Sequence, residues 1–130
     1  FTATAVCSVS LVPPLVLVCV GADAATPGAI REAGRYALNF LRSEDTATAD
    51  RFAGSKGTKF EGVEWVAAPG GSPLLPGGLA WVECDVERDV EAGDHTIFIG
   101  RVTAAAIQSA QEAPLVHFGG RYHTVAGLDE

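Results

Sequence analysis

Residues 1–20 constrain the fold of this chain more than any other stretch. Residues 1–10 are rich in small and hydroxyl-bearing side chains, and Pro13 and Pro14 separate them from an apolar run at residues 15–20. Proline lacks a backbone donor and restricts the preceding residue to extended conformations, so the chain must enter the apolar run along an extended path. The run itself predicts a strand covered on both faces. The small side chains before it leave the backbone accessible to a flat polar ligand.

The length and charge of the chain limit the classes of function. Its 130 residues predict one domain, large enough to bury roughly two-thirds of the unfolded surface. A formal charge of −7 with only 9 basic residues argues against nucleic acid, because binding to phosphates needs clustered Lys and Arg. An anionic dinucleotide would need a local positive pocket, for which Arg51, Lys56 and Lys59 are the candidates.

The cysteines predict a reducing compartment. Cys7, Cys19 and Cys84 form no CxxC pair and leave one thiol unpaired in any arrangement. A disulfide framework is therefore not expected, which favours the cytoplasm, and apolar neighbours predict buried thiols. No metal-ligand spacing is present among Cys, His and acidic residues.

Residues 11–20 are similar to the apolar part of a signal peptide, but no basic segment precedes them and two prolines interrupt them. They are also too short to cross a bilayer, so we expect a buried strand and no membrane association. The chain contains no methionine. We therefore expect that an N-terminal portion of the domain precedes residue 1.

Two helices are predicted in the first half of the chain. Thr26 is the expected cap of the first, with Pro27 at its first position and Gly34 after its last turn. A strand follows at residues 36–41. Ser43 or Asp45 is expected to start a second helix at residues 46–53, which Gly54 ends.

The sequence pattern in the second half of the chain is typical of antiparallel strands. Residues 80–90 alternate, with Val82, Cys84 and Val86 on one face and a solvated row of Glu83, Asp85 and Glu87 on the other. A turn at residues 91–94 leads to a strand at residues 95–105, and a last hairpin joins residues 115–118 to residues 122–125 around two glycines. Several strands with two short helices predict a mainly β fold, a closed or nearly closed antiparallel barrel.

Seven segments together resemble one protein family. They are the Ser-Val-Ser-Leu-x-Pro-Pro-Leu-Val pattern at residues 8–16, and residues 31–41, 51–54, 59–62, 79–84, 93–100 and 114–122. Their order and spacing over almost the whole chain resemble the short flavin reductases, the NAD(P)H:flavin oxidoreductases of two-component monooxygenases. The resemblance implies an FMN-binding split β-barrel, a homodimer, and FMN or FAD reduced by NADH or NADPH. It also implies delivery of the reduced flavin to a separate monooxygenase, and an N-terminal portion of roughly thirty residues before residue 1.

The resemblance also assigns roles to residues. It implies that His95 is the catalytic residue, which orients the nicotinamide or the flavin edge and donates a proton. The start of the first helix would approach the flavin phosphate, since a helix N-terminus attracts anions. The implied cofactor-binding residues are Phe1, Thr2, Thr4, Ala5, Ser8, Val9, Ser10, Cys19, Val20, Gly21, Ala25, Thr26, Arg51, Phe52, Ala53, Gly54, Ser55, Lys56, His117, Phe118, Gly119 and Gly120.

Two features differ from the family pattern. Ala25 stands where the family commonly has an arginine, and Asp23 adds negative charge, which predicts weak retention of the flavin. His117 to Gly119 lacks an arginine often found there. Two alternatives stay open: a non-catalytic split-barrel binder of flavin or haem, and a split-barrel oxidase of a phosphorylated vitamer.

Overall fold

The computed structural model of the chain describes residues 1–22, 25–54 and 59–128. Within these ranges it contains two helices, α1 (Thr26–Ala33) and α2 (Thr46–Ala53). The strands are β1 (Val6–Ser10), β2 (Leu15–Gly21), β3 (Arg35–Phe40), β4 (Val66–Ala67), β5 (Pro73–Leu74), β6 (Ala80–Ala92), β7 (His95–Ile107), β8 (Val116–Phe118) and β9 (Arg121–His123).

Five strands form one antiparallel sheet in the order β1-β2-β7-β6-β3. The long hairpin of β6 and β7 forms its centre, while β1 and β3 lie at its edges. The register shifts twice along this hairpin, after Glu83 and after Val86, and such bulges increase the bend of a sheet. The predicted mainly β antiparallel fold is confirmed, but in the described residues this sheet does not close into a barrel, because β1 and β3 remain its two edges.

The core lies on the face of the sheet that α1 covers. Val18 and Val20 of β2 pack with Phe98 of β7, Tyr36 of β3 and Cys84 of β6. Ile30 of α1 completes this cluster. The predicted strand at residues 15–20 is therefore present, with Val18 and Val20 buried and the residues between them half-buried.

Both predicted helices are present, with different caps. Ala25 rather than Thr26 occupies the N-cap of α1, and it makes no side-chain cap bond. Gly34 ends α1 as predicted, in the left-handed conformation (φ 71°) that favours glycine, and its N–H donates to the carbonyl of Ile30. Asp45 is the N-cap of α2, but its carboxylate binds the guanidinium of Arg42 instead of the helix N–H groups.

Two burial predictions were wrong. Glu83 was expected on a solvated face, but only 1% of it is exposed, because residues 70–72 cover that face of β6. Cys7 was expected to be buried, but it is exposed because β1 is an edge strand; Cys84 is buried and Cys19 is intermediate.

The C-terminal hairpin is confirmed with shorter strands, β8 and β9, which form a separate two-stranded sheet. Backbone bonds hold the segment before it against the end of β3: Leu115 donates to Leu41, and Ser43 donates to Ala113. The hairpin therefore lies beside the start of α2. Neither helix in the described ranges is long and apolar enough to cross a membrane.

Candidate functional site

Two adjoining cavities lie beside the N-terminal segment. The larger has a volume of about 1110 Å³, and its walls come from residues 1–6, α1, β3, α2, residues 70–73 and the C-terminal hairpin. The smaller has a volume of about 250 Å³ and lies at the ends of β2 and α2. Both cavities share the lining residues Phe1, Thr2, Thr26, Phe52 and Ala53. A ligand with an aromatic part and a phosphate could therefore extend through both.

The N-terminal segment is fixed as a shared wall by hydrogen bonds to α2 and β2. The N–H of Thr2 donates to the carbonyl of Phe52 at 3.1 Å, and its hydroxyl donates to the carbonyl of Ala49 at 2.6 Å. Cys19 donates its N–H to the carbonyl of Ala5 at 3.0 Å. These bonds hold the small side chains of the segment against the larger cavity, as expected for a surface that a flat ligand contacts.

The smaller cavity has the character of an anion site. Thr26 is the first residue of α1 and lines this cavity, so the positive end of the helix lies there. Lys59 also lines it and donates from Nζ to the carbonyl of Phe52 at 3.3 Å. A helix N-terminus together with a lysine fits a phosphate group.

One wall of the larger cavity is a turn held by a buried carboxylate. Glu83 accepts N–H bonds from Gly70 at 2.7 Å and from Ser72 at 2.9 Å. Arg35, which lines the cavity, donates to the carbonyl of Gly70. Burial raises the pKa of Glu83, but the hydrogen bonds from Ser72 and Gly70 and the charge of Arg35 outweigh burial, so that the pKa lies below its usual value. This carboxylate is therefore charged at neutral pH.

The C-terminal hairpin forms another wall of the larger cavity through His117 and Tyr122. Their rings meet edge to face with centroids 5.8 Å apart. The hydroxyl of Tyr122 donates to Asp50 of α2, and this bond raises the pKa of Tyr122. The tyrosine thus joins the hairpin to the helix that carries Phe52 and Ala53.

His95 lies at the tip of the β6–β7 hairpin, opposite Gly21 in the sheet register. Its Nδ1 lies 2.7 Å from Oδ1 of Asp94, a hydrogen bond that lowers the pKa of Asp94. The imidazole is half exposed. His95 is not among the described residues that line the two cavities, but its neighbour Gly21 lines the smaller one.

The predicted cofactor-binding residues fall into three groups. Those that line a cavity are Phe1, Thr2, Thr4, Val20, Gly21, Thr26, Phe52, Ala53, Gly54 and His117. Those that are described but absent from both linings are Ala5, Ser8, Val9, Ser10, Cys19, Ala25, Arg51, Phe118, Gly119 and Gly120. Ser55 and Lys56 lie outside the described residues.

Local structure explains several of the second group. Residues 8–10 lie on β1 at the sheet edge, beyond the part of the N-terminal segment that contacts α2. Gly119 and Gly120 form the exposed tip of the last hairpin. Arg51 turns to the segment after α2, where it donates to the carbonyls of Lys59 and Glu61.

The structure adds residues that the cofactor-binding prediction omitted. Arg35, Asn39 and Ser72 supply polar groups to the larger cavity, and Lys59 supplies a cation to the smaller one. Lys59 could be found from the sequence because it is one of few basic residues. In contrast, Arg35 and Asn39 lie on a strand whose pattern gives no sign of a ligand. Among the described residues, no cluster of His, Cys, Asp or Glu is placed to hold a metal ion.

Comparison with known families places the chain in one of them. Residues 1–126 match the flavin reductase like domain, and the chain belongs to this family. Among solved structures, the NADH:FAD oxidoreductase SgcE6 of Streptomyces globisporus C-1027 superposes with a TM-score of 0.90 at 36% identity, covering 96% of this chain and 76% of that one. BorF, the flavin reductase component of a bacterial two-component tryptophan halogenase, gives 0.87 at 34% identity, covering 97% and 81%. The predicted split-barrel fold is thereby confirmed.

Two relatives by sequence are also reductases. The reductase subunit HsaB of a flavin-dependent monooxygenase from Rhodococcus jostii (strain RHA1) is 35% identical over 122 residues, which are 94% of this chain and 62% of HsaB. The flavin reductase (NADH) of Kitasatospora aureofaciens is 38% identical over 123 residues, 93% of this chain and 64% of that protein. The chain thus spans less than two-thirds of the length of these two relatives.

Proposed function

We propose that this chain is a flavin reductase domain that transfers a hydride from NADH or NADPH to FMN or FAD. The observation that carries the proposal is the pair of adjoining cavities, one large with mostly apolar and small lining residues, the other at a helix N-terminus beside Lys59. Ligand pockets are usually about 300–1,000 Å³, so the larger cavity has room for two stacked rings. The names of the relatives from Kitasatospora aureofaciens and Streptomyces globisporus support NADH as the donor.

The residues present fit a flavin. Phe1, Thr2 and Thr4 would contact the ring and ribityl chain, while Thr26 and Lys59 would hold the phosphate. When bound, the flavin and the nicotinamide supply hydride chemistry, and the protein supplies binding and orientation. The mostly apolar walls exclude water from the ring, and Phe52 contributes to both cavities. Because the flavin and the nicotinamide would supply the chemistry, the proposed reaction requires neither a catalytic triad nor paired carboxylates from the protein.

The nicotinamide is proposed to bind beside His117 and Tyr122, the wall that the C-terminal hairpin supplies to the larger cavity. His95 is proposed to orient a ligand edge near Gly21. Its Nδ1 is engaged by Asp94, so Nε2 is the nitrogen that would meet the ligand or donate a proton.

The oligomer, partner and compartment are also proposals. Leu11 and Val12, at the turn between β1 and β2, are 87% and 89% exposed, and apolar side chains at such exposure support a homodimer. HsaB is named as the reductase subunit of a flavin-dependent monooxygenase, and BorF as the flavin reductase component of a two-component halogenase. These names support a partner monooxygenase that accepts reduced flavin. Three free thiols support the cytoplasm.

Steady-state oxidation of NADH and NADPH tests the function, with FMN, FAD or no flavin added. We expect turnover that depends on added flavin, because Ala25 leaves the phosphate site without an arginine and the flavin exchanges readily. Flavin binding without turnover by either nucleotide would contradict the reductase proposal and favour a non-catalytic flavin carrier.

A further inference from the structure

Glu83 is a buried carboxylate with no part in the proposed hydride transfer. It lies on β6, and only 1% of its surface is exposed. A buried charge is costly unless hydrogen bonds satisfy it. Here the satisfying groups are the N–H groups of Gly70 and Ser72, at 2.7 and 2.9 Å. The carboxylate thus binds the backbone of one short turn rather than another element of the sheet.

The turn at residues 70–72 is fixed from several sides. Ala68 donates to the carbonyl of Ser72, and Gly71 donates to the carbonyl of Ala68, both at 2.8 Å. Gly71 has φ +97°, a conformation that favours glycine. Arg35 donates to the carbonyl of Gly70. A turn with these bonds presents a defined backbone surface.

That surface faces the larger cavity. Gly70, Gly71 and Ser72 line it together with Arg35. Just beyond the turn, Asn39 accepts the N–H of Leu75 and donates to the carbonyl of Pro73. Nothing lies within 4 Å of where a Cβ would stand on Gly71, so a ligand can contact the backbone of the turn there, whereas the missing side chain of Gly70 leaves room for Arg35 and Glu83.

The turn lies near the C-terminal end of α1, because Arg35, which donates to the carbonyl of Gly70, follows directly after Gly34 at the end of that helix. Thr26, Ala29, Ile30 and Ala33 line the cavity along α1, and the chain then continues into Arg35. Thr26 also lines the smaller cavity, where the flavin phosphate is proposed to bind. The turn would therefore adjoin a flavin that extends from that phosphate site along α1.

We propose that Glu83 is a positioning residue for the flavin, acting through the turn at residues 70–72, which it holds as a wall of the larger cavity. This inference rests on the proposed flavin reductase function. Glu83 itself does not touch the ligand. Its effect is to fix the position of a backbone surface that the flavin contacts.

The test is the variant Glu83→Gln, which keeps the side-chain length but replaces one acceptor oxygen with a donor that faces an N–H group. We expect the Kd for FMN or FAD to rise about tenfold, because the flavin loses part of its contact with the displaced turn. The kcat at saturating flavin should stay within about twofold, because ground-state binding is what changes. The matched control is Glu87→Gln, the same substitution at an exposed site on the same strand.

The readouts separate positioning from stability. Flavin binding is measured by fluorescence quenching well below the melting temperature, and circular dichroism checks that each variant is folded. A purely structural role would lower the melting temperature but leave the Kd of the folded variant unchanged. A folded Glu83→Gln variant that binds flavin like Glu87→Gln would overturn the inference.

A second variant covers the case in which Glu83→Gln does not fold. In Gly70→Ala, the new Cβ would lie 2.7 Å from Nη1 of Arg35 and 2.8 Å from Oε1 of Glu83, so the contacts of these two side chains with the turn are disturbed although Glu83 is still present. We expect weaker flavin binding here too, and an unchanged Kd would overturn the inference. Failure of the wild-type chain to bind flavin would instead remove the proposed function, and that result is seen before any variant is compared.

Discussion

At the scale of single residues, packing around Gly100 sets a steric limit at the centre of the sheet. A Cβ at this position would lie 2.5 Å from the hydroxyl of Tyr36 and 2.6 Å from Cβ of Cys84. Tyr36 donates its hydroxyl to the carbonyl of Phe98 at 3.2 Å. Burial raises the pKa of Tyr36 and raises the pKa of Cys84 to about 11, so both groups are neutral at neutral pH.

We predict that Gly100→Ala lowers the free energy of unfolding by about 1–3 kcal/mol, the usual cost of overpacking a core. Gly28→Ala is the control, because nothing lies within 4 Å of a Cβ there and alanine in a helix gains roughly 0.5–1 kcal/mol over glycine. Urea denaturation of both variants measures the difference. Equal stability of the two variants would contradict this view of the core.

His95 is the residue whose role the structure defines least directly, since it lies beside a cavity rather than in its wall. We predict that His95→Ala lowers kcat/KM for NADH while the Kd for flavin stays within about twofold, because the side chain is assigned to orientation rather than to holding the flavin. Steady-state kinetics and a flavin titration give the two values. Equal losses in both would reject the assigned role.

At the scale of elements, the attachment of residues 70–72 to β6 makes stability depend on pH. Hydrogen bonds from Ser72 and Gly70 and the charge of Arg35 outweigh burial and lower the pKa of Glu83 from its ordinary value of 4.5. A carboxyl group whose pKa is lower in the folded state stabilises the fold above its unfolded pKa, and this contribution is lost as the pH falls through the folded pKa. The attachment should therefore weaken in acid.

We predict that the free energy of unfolding of the wild-type chain falls as the pH drops below about 4.5, and that Glu83→Gln makes this fall smaller. Urea denaturation at neutral and acidic pH measures both slopes, with Glu87→Gln as the exposed control. The pKa of Asp45 is also lowered, chiefly by its hydrogen bond with Arg42. Asp45 therefore contributes to the loss of stability at acidic pH in wild type and in both variants. If the free energy of unfolding of wild type and of Glu83→Gln fell in parallel with pH, Glu83 would not contribute to the loss of stability in acid.

At the scale of the whole molecule, the sequence predicted the elements well where the pattern is local. The apolar run of β2, the alternation in β6 and the glycine after α1 each depend on neighbours in sequence. The burial of Glu83 could not be predicted, because the segment that covers it lies more than ten residues earlier and returns over β6. A period of two identifies a strand but not what packs on its second face.

The candidate site was predictable only in part for a similar reason. Its larger cavity is built from six segments that are distant in sequence, and the polar residues of β3 carry no local sign of a ligand. The family resemblance supplied Phe1, Thr2 and Thr4, and also Phe52 and Ala53 at the end of α2, all of which line the cavities. It also assigned residues 8–10 to the cofactor site, but they lie on an edge strand and line neither cavity. Their place at the edge follows from the order of the strands in the sheet, which the sequence pattern does not show.

The most direct measurement is a single-turnover reaction without oxygen, in which the chain with bound flavin is mixed with NADH and the absorbance of oxidised flavin is followed. We predict that the flavin is reduced on the enzyme at least as fast as steady-state turnover, because one cavity holds both rings. A flavin that stays bound and oxidised in the presence of NADH would contradict the proposal that the larger cavity joins flavin and nicotinamide for hydride transfer.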